Sequence, residues 1–216
     1  MTYQAVLFDL DGTLLDTLED LADSMNAVLS ANSFPTHQAE AYKTFVGDGV
    51  ANLVRRALPA GTYTDEDIRR LVQLMRAEYA RRWKNKTKPY DGVDEMLRAL
   101  ADRGLKLAVL SNKPDDTTKL CVQHFLGNHR FDVVQGVADD VAPKPDPAGA
   151  KRIRETLNLP VEAFLYLGDT NTDMQTATAA GMYAIGATWG FRTADELLQH
   201  GAKTLIDHPM ELIGLL

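Results

Sequence analysis

Ala5-Val6-Leu7-Phe8-Asp9-Leu10-Asp11-Gly12-Thr13-Leu14-Leu15-Asp16 is the stretch that decides how the chain is read. Ala5 to Phe8 is a short apolar run without alternation, the pattern of a strand covered on both faces in a parallel sheet. The acids begin where that run stops. Asp9 is therefore expected at the carboxyl end of a buried strand, where open α/β sheets take their ligands, and Asp11 follows two residues later. Gly12 has no Cβ and lets the backbone turn sharply there. Two carboxylates so close repel each other and are costly to dehydrate unless positive charge lies between them. A hard divalent cation, Mg2+ before others, meets that need. Asp-Gly is also a common turn dipeptide, so this stretch alone leaves an ordinary acidic turn open.

Asp9-Leu10-Asp11-Gly12-Thr13-Leu14-Leu15-Asp16-Thr17 resembles the first motif of the haloacid dehalogenase-like hydrolases, most of which are phosphatases. The resemblance implies that Asp9 is a nucleophile that becomes an aspartyl phosphate and that Asp11 is the general acid and base. It also implies three further motifs in a fixed order, which the rest of the chain can be searched for.

Ser111-Asn112-Lys113 directly follows the apolar Leu107 to Leu110 and resembles the second motif, Ser or Thr followed by Asn, with Ser111 and Asn112 expected to hold a phosphoryl oxygen. Pro143-Lys144-Pro145-Asp146-Pro147 resembles the third, a Lys-Pro step opening a helix. Prolines on both sides restrict the backbone around Lys144, so its ammonium can be aimed with less freedom to lose and can offset nearby carboxylates. Phe164-Leu165-Tyr166-Leu167-Gly168-Asp169-Thr170-Asn171-Thr172-Asp173 repeats the opening logic of apolar strand, glycine, acid and helix. Asp169 and Asp173 are one helical turn apart and can share a face. The resemblance to the fourth motif makes Asp169 a direct metal ligand beside Asp9 and the Asp11 carbonyl, and Asp173 an outer residue orienting metal-bound water.

The segments between the motifs set the architecture. From Leu18 to Trp83 the apolar residues recur at helical spacing, first Leu18, Leu21, Met25, Val28 and Leu29, with Asp16 and Thr17 as caps. A short helix is expected from Thr36 to Phe45, another over Val50, Leu53, Val54, Ala57 and Leu58, and a long one from the acidic start Thr64-Asp65-Glu66-Asp67 to about Trp83. No strand pattern appears between Leu15 and Leu105. Strands are then expected at Leu105 to Leu110, Phe131 to Gln135, Phe164 to Leu167, Tyr183 to Gly186 and Thr204 to Ile206. Helices fall between them, one opening at Asp146-Pro147 and one with a Thr193/Glu196 capping box. The fold class is thus α/β, a Rossmann-like core with a central parallel sheet flanked by helices. A small all-helical cap is inserted after the first strand: the core is 1–15 and 90–216, and the cap 16–89. A helical cap at that point is what the resembling superfamily's commonest capped class has.

Composition bounds the function. With 216 residues and 45% hydrophobic content the chain can bury a substantial core. No apolar run approaches the roughly 20 residues of a membrane span, and the first residues lack the regions of a signal peptide, so a cytoplasmic protein without a membrane partner is expected. Cys121 is the only cysteine, which excludes an internal disulfide, and Leu120, Val122 and Phe125 around it suggest a packed helix face. The net charge of −7 argues against a nucleic-acid partner. It also means that a small phosphorylated metabolite must be attracted locally, by metal, lysine and backbone N-H groups. A homodimer and a monomer both remain open.

Phe45-Val46-Gly47-Asp48-Gly49 through Arg56-Ala57-Leu58 is similar to the cap segment of phosphoglycolate phosphatases, and Trp189-Gly190-Phe191-Arg192 to their Trp-Gly-Tyr step, with Phe in place of Tyr. Gly47 and Gly49 are accordingly candidates to present backbone N-H groups to a small carboxylate, though a helix-helix turn would use the same glycines. The basic run Arg76, Arg81, Arg82, Lys84, Lys86, Lys88 reads as a solvated helix end, with substrate steering as the alternative. The expected activity is Mg2+-dependent phosphomonoester hydrolysis, first on phosphoglycolate. Sugar-phosphate mutase, nucleotidase and pyrophosphatase chemistry are the alternatives within the superfamily, and a phospho-acceptor signalling module the alternative outside it.

Overall fold

The computed structural model describes residues 3–61, 63–138 and 140–216. In chain order the elements are β1 (Ala5–Phe8), β2 (Leu15–Asp16), α1 (Leu18–Ala31), α2 (Tyr42–Phe45), α3 (Val50–Ala57), α4 (Asp65–Arg82), β3 (Lys88–Pro89), α5 (Val93–Asp102), β4 (Lys106–Pro114), α6 (Asp115–Leu126), β5 (Val133–Val137), α7 (Ala148–Leu157), β6 (Phe164–Gly168), α8 (Asn171–Ala180), β7 (Tyr183–Ala187), α9 (Ala194–Gln199) and β8 (Thr204–Ile206). Short 3-10 turns lie at Ala39–Ala41, Val161–Ala163 and Pro209–Leu215. No helix among the described residues is long and apolar enough to cross a membrane.

The chain divides into two compact units, Met1–Leu15 with Pro89–Leu216, and Asp16–Lys88. In the first unit six strands form one sheet in the order β5-β4-β1-β6-β7-β8, and every pairing is parallel. All four residues of β1 are fully buried, as a strand sandwiched between helices requires. The chain builds outward from β1 to β4 and β5 on one side, then returns to its other side for β6, β7 and β8. The order reverses at β1, so the crevice beyond its carboxyl end, and those of β4 and β6, is where such a sheet opens for a ligand. Asp9 and Asp169 follow β1 and β6 at that end, and Ser111 lies in the second half of β4.

The second unit is helical. The buried stripe of α1 (Leu21, Met25, Val28, Leu29) packs on that of α4 (Ile68, Leu71, Met75, Tyr79), the period-3.6 pattern that marks both in the sequence. Thr64 and Asp67 close a full capping box on α4. Arg56 braces the loop before α3: its guanidinium donates to the carbonyls of Phe45 (3.1 Å) and Thr44 (3.4 Å) and pairs with Asp48. Lys86 pairs with Glu19 (3.0 Å) and Asp23 (2.9 Å), and Arg81 and Arg82 with Glu78, so much of the basic run is neutralised inside its own unit.

Several local expectations are corrected. β4 continues past Leu110 to Pro114, with a register shift between those residues against β5, so Ser111, Asn112 and Lys113 lie on a strand and not in the loop after it. β5 starts at Val133 and not at Phe131. Thr17 is the N-cap of α1 by position, but its hydroxyl is buried without a hydrogen-bond partner, and Asp16 instead accepts from the Leu18 N-H at 3.4 Å. Thr193 caps α9 without the reciprocal bond from Glu196, whose carboxylate meets Arg192 at 3.3 Å. Among the described residues, the stretch from Leu15 to Leu105 does hold two short strands, β2 and β3, which pair with each other where the chain leaves and re-enters the first unit.

Asp20, only 1% exposed on α1, accepts from the Lys86 N-H (3.1 Å), the Thr87 N-H (2.9 Å) and the Thr87 hydroxyl (2.8 Å), which fixes the segment entering β3. Asp20→Ala leaves these donors without their acceptor and is expected to cost about 2–4 kcal/mol. Denaturant unfolding should show the loss, and hydrogen exchange at the Lys86 and Thr87 amides should accelerate; unchanged protection there would refute the clamp.

Candidate active site

Asp9 follows β1 directly, and its N-H extends the ladder by donating to the Leu167 carbonyl at 2.9 Å. Its Oδ1 accepts from Lys144 Nζ at 2.7 Å. The same ammonium donates to Asp173 Oδ1 at 2.7 Å and to the Leu110 carbonyl at 3.0 Å, so all three donors are engaged at a side chain that is 3% exposed. Asn112 fixes the backbone that carries it: the Asn112 amide accepts from the Lys144 N-H (2.8 Å) and donates to the Lys144 carbonyl (3.0 Å). Asn112 thereby clamps the segment that carries the lysine. Ser111 is buried, and its hydroxyl oxygen accepts from the Lys113 N-H at 3.2 Å.

Asp169 follows β6 and is fully buried. Its Oδ1 accepts from the Thr13 hydroxyl at 2.7 Å and its Oδ2 from the Phe191 N-H at 2.8 Å, while the Trp189 indole N-H holds the Thr13 carbonyl at 3.0 Å. Two glycines make the space. A Cβ on Gly12, at φ +94°, would stand 2.2 Å from Asp169 Oδ2, and one on Gly190 would stand 2.2 Å from Asp169 Cβ. The Trp189 to Phe191 step is thus a cradle for the carboxylate. Asp173 is placed by its own helix: its Oδ2 accepts from the Thr170 N-H (3.0 Å) and hydroxyl (2.6 Å) in a full capping box on α8, and its Oδ1 also accepts from the Tyr166 hydroxyl at 3.2 Å.

Carboxylate oxygens of Asp9, Asp169 and Asp173 all lie within 4.8 Å of one another, and all three residues are buried. Burial, then the neighbouring Asp173, raises Asp9 well above the ordinary carboxylate range despite Lys144, and raises Asp169 to about 7. Burial alone would lower the Lys144 ammonium, but Asp173 and Asp9 outweigh it and hold it well above the ordinary lysine value. Three carboxylates against one ammonium leave a formal charge of −2, the charge a divalent cation balances, and an all-oxygen donor set suits a hard one. The residues fit such an ion.

The structure brings Asp9, Lys144, Asp169 and Asp173 into one cluster. Asp11 is joined to the end of β4 by an ion pair with Lys113, 2.6 Å. Gly47 (φ +119°) and Gly49 (φ +82°) belong to the second unit, where Gly49 is the N-cap of α3 with open space at its Cβ direction. Cys121 is buried, and burial pushes its thiol up to about 11, which suits an inert packing residue. Thr13, Lys113, Tyr166 and Thr170 were not singled out from the sequence. Lys113 stands two residues after Ser111 on the same side of β4, in the part of the strand beyond Leu110 that the sequence pattern does not mark.

The sequence model of haloacid dehalogenase-like hydrolases matches residues 6–187. The chain belongs to that family. Within the haloacid dehalogenase-like hydrolases its similarity runs to the phosphoglycolate phosphatase-like branch. It is 30% identical to the phosphoglycolate phosphatase of Psychrobacter arcticus over all of this chain and 96% of that protein. It is 34% identical to that of Rhodospirillum rubrum over 94% of this chain and 87% of that protein. The crystal structure of a predicted phosphoglycolate phosphatase from Haemophilus somnus superposes with a TM-score of 0.92 at 26% identity, covering 100% of this chain and 98% of that one. The expected enzyme class, a phosphatase, stands with these relatives, as does the α/β fold.

Because Asp169 is raised from 3.8 to about 7, the native state holds a proton that the unfolded chain releases between those values. Metal-free stability should therefore fall as pH rises through that window, by on the order of 4 kcal/mol at full effect, or roughly 10 °C in Tm. Asp169→Asn should flatten that slope, and added Mg2+ should raise Tm more at pH 7.5 than at pH 5; a metal-free Tm that does not fall across the window would contradict this. Gly190→Ala should move Asp169 and weaken Mg2+ binding by roughly 10-fold or more, read by calorimetric titration against wild type.

Proposed function

We propose that this chain hydrolyses a small phosphomonoester, phosphoglycolate before others, by way of an aspartyl phosphate on Asp9. The observation that carries the reading is the Asp9 carboxylate. Its Oδ1 is fixed by Lys144, its Oδ2 has no hydrogen-bond partner among the described residues, and it lies at the end of the central strand. One oxygen is held for aim while the other is free to react.

Asp9 Oδ2 attacks phosphorus in line, and the bond from phosphorus to the ester oxygen breaks as the Asp11 carboxyl delivers its proton to that oxygen. Asp11, now a carboxylate, takes a proton from the water that attacks phosphorus in the second step. The bond to Asp9 then breaks and inorganic phosphate leaves. Lys144 and the Ser111 hydroxyl stabilise the phosphoryl oxygens, and Asn112 keeps Lys144 in place. Asp9, the Asp11 carbonyl and Asp169 would hold Mg2+, with Asp173 beside them. When bound, the ion neutralises charge on the transferring phosphoryl group. Residues 16–89 are assigned as a cap that selects the substrate, with the N-H groups of Gly47 and Gly49 offered to its carboxylate. The phosphoglycolate phosphatases among the relatives support that choice of substrate.

Phosphate release should be measured on phosphoglycolate, sugar phosphates, nucleotides, pyrophosphate and p-nitrophenyl phosphate, with and without Mg2+. Phosphoglycolate is expected to lead in kcat/KM, with activity lost on chelation. Asp9→Asn should reduce turnover by at least about 1,000-fold in a protein that still melts cooperatively. Isomerised sugar phosphate without free phosphate would replace the reading by a mutase, and a long-lived phosphorylated protein without turnover by a signalling acceptor.

A further inference from the structure

Asp11 is contacted by a cation that the four motifs do not assign a role. Lys113 Nζ donates to Asp11 Oδ1 at 2.6 Å, across 102 residues of sequence. The lysine side chain is 6% exposed and the aspartate 14%, so the acid is the more open of the two. Asp11 Oδ2 has no protein partner among the described residues. Asp11 thus repeats the arrangement at Asp9, with one oxygen held by a buried lysine and the other unclaimed.

The backbone that delivers Lys113 is fixed from several sides. Ser111 and Lys113 are both buried while Asn112 between them is half-buried, as alternation along an extended strand requires. The Lys113 N-H donates to Ser111 Oγ at 3.2 Å, and its carbonyl accepts from the Thr118 hydroxyl at 3.2 Å. Gly136 lies so near that a Cβ there would stand 2.6 Å from the Lys113 carbonyl oxygen, and the Gly136 N-H is tied to Asp115 at 3.0 Å.

We propose that Lys113 is the positioning residue for Asp11. It holds Oδ1, fixes the rotamer of the carboxyl group and leaves Oδ2 as the atom that gives a proton to the departing oxygen and later takes one from water. The inference rests on the reading of Asp11 as acid and base given above. As the Oδ2-H bond breaks, the proton and its bond pass to the ester oxygen, negative charge appears on Asp11, and the ammonium that meets it is already in place. Lys113 keeps all its own protons throughout.

Leaving groups separate this role from a merely structural one. The departure of an alkoxide depends on proton delivery, whereas p-nitrophenolate leaves with little help. Because kcat/KM reports steps up to that departure, Lys113→Met should lower it about 100-fold on an alkyl phosphate such as phosphoglycolate, within the usual range for acid catalysis. On p-nitrophenyl phosphate the loss should stay under about 5-fold. Lys113→Arg, which still presents a donor to Oδ1, should recover most of the alkyl activity, and Lys113→Gln gives the same comparison if the Met variant does not fold. Adding Lys113→Met to Asp11→Asn should cost little more, since the two act as a unit. Equal losses on both substrates, no loss on either, or a change confined to KM for substrates with a second anionic group would overturn the proposal. Wild-type protein that releases no phosphate from any of these esters with Mg2+ would instead bring down the parent reading, and this inference with it.

Discussion

The ammonium of Lys144 is the interaction on which the rest of the site depends. Three buried carboxylates within 4.8 Å would not remain together without positive charge among them, and Lys144 donates to two of the three while its third donor takes the Leu110 carbonyl. In doing so it ties the end of β1, the first turn of α8 and the middle of β4 to one atom. Its aim comes from elsewhere, because a lysine carries four flexible bonds. The two hydrogen bonds between the Asn112 amide and the Lys144 backbone, one donated and one accepted, fix the base of the side chain, and its surroundings fix the tip. One cation does not balance three anions, and the remainder appears as the raised carboxyls of Asp9 and Asp169. The site is thus assembled in a state of unmet charge, which a small, highly charged ion would balance.

The sheet supplies the convergence. Because β1 lies between β4 and β6, with the chain reversing direction of growth around it, the residues leaving those three strands emerge side by side from distant parts of the sequence. Asp169 adds a second constraint. It is enclosed by Gly12 and Gly190, anchored by Thr13 and the Phe191 N-H, and Thr13 is itself anchored by Trp189. The loop after β7 therefore serves the carboxylate at the end of β6. This gives a physical reason for the Trp-Gly-Phe sequence: an indole donor, a residue with no side chain, and a free backbone N-H in succession.

What was legible in the sequence follows the range of the interactions. Strands β1, β6 and β7 are apolar runs, α1 and α4 carry a helical period, and each acid follows the end of its run, so these elements and Asp9, Asp169 and Lys144 could be read from local pattern. Contacts between residues far apart in the chain could not. The pairing of Lys113 with Asp11, the hydroxyl of Thr13 on Asp169 and the clamp of Asn112 on Lys144 leave no trace in spacing. The extension of β4 through Pro114 depends on pairing with Val137 after a register shift, which no propensity encodes. Asp173 is legible as a residue on the same face as Asp169, and Thr170 and Asp173, three residues apart, also carry the spacing of the capping box that the structure shows. In the second unit, the Arg of the Arg-Ala-Leu phrase turned out to brace its own loop.

The pairing of β2 with β3 bears on how such a molecule can change over time. Neighbouring strands lie roughly 5 Å apart, so the chain departs and comes back through almost the same point. A segment with adjacent ends can be lengthened, trimmed or exchanged without altering the spacing of β4, β1 and β6. The helices between residues 16 and 88 are in that sense a cassette, whose length can change without moving the residues at the strand ends.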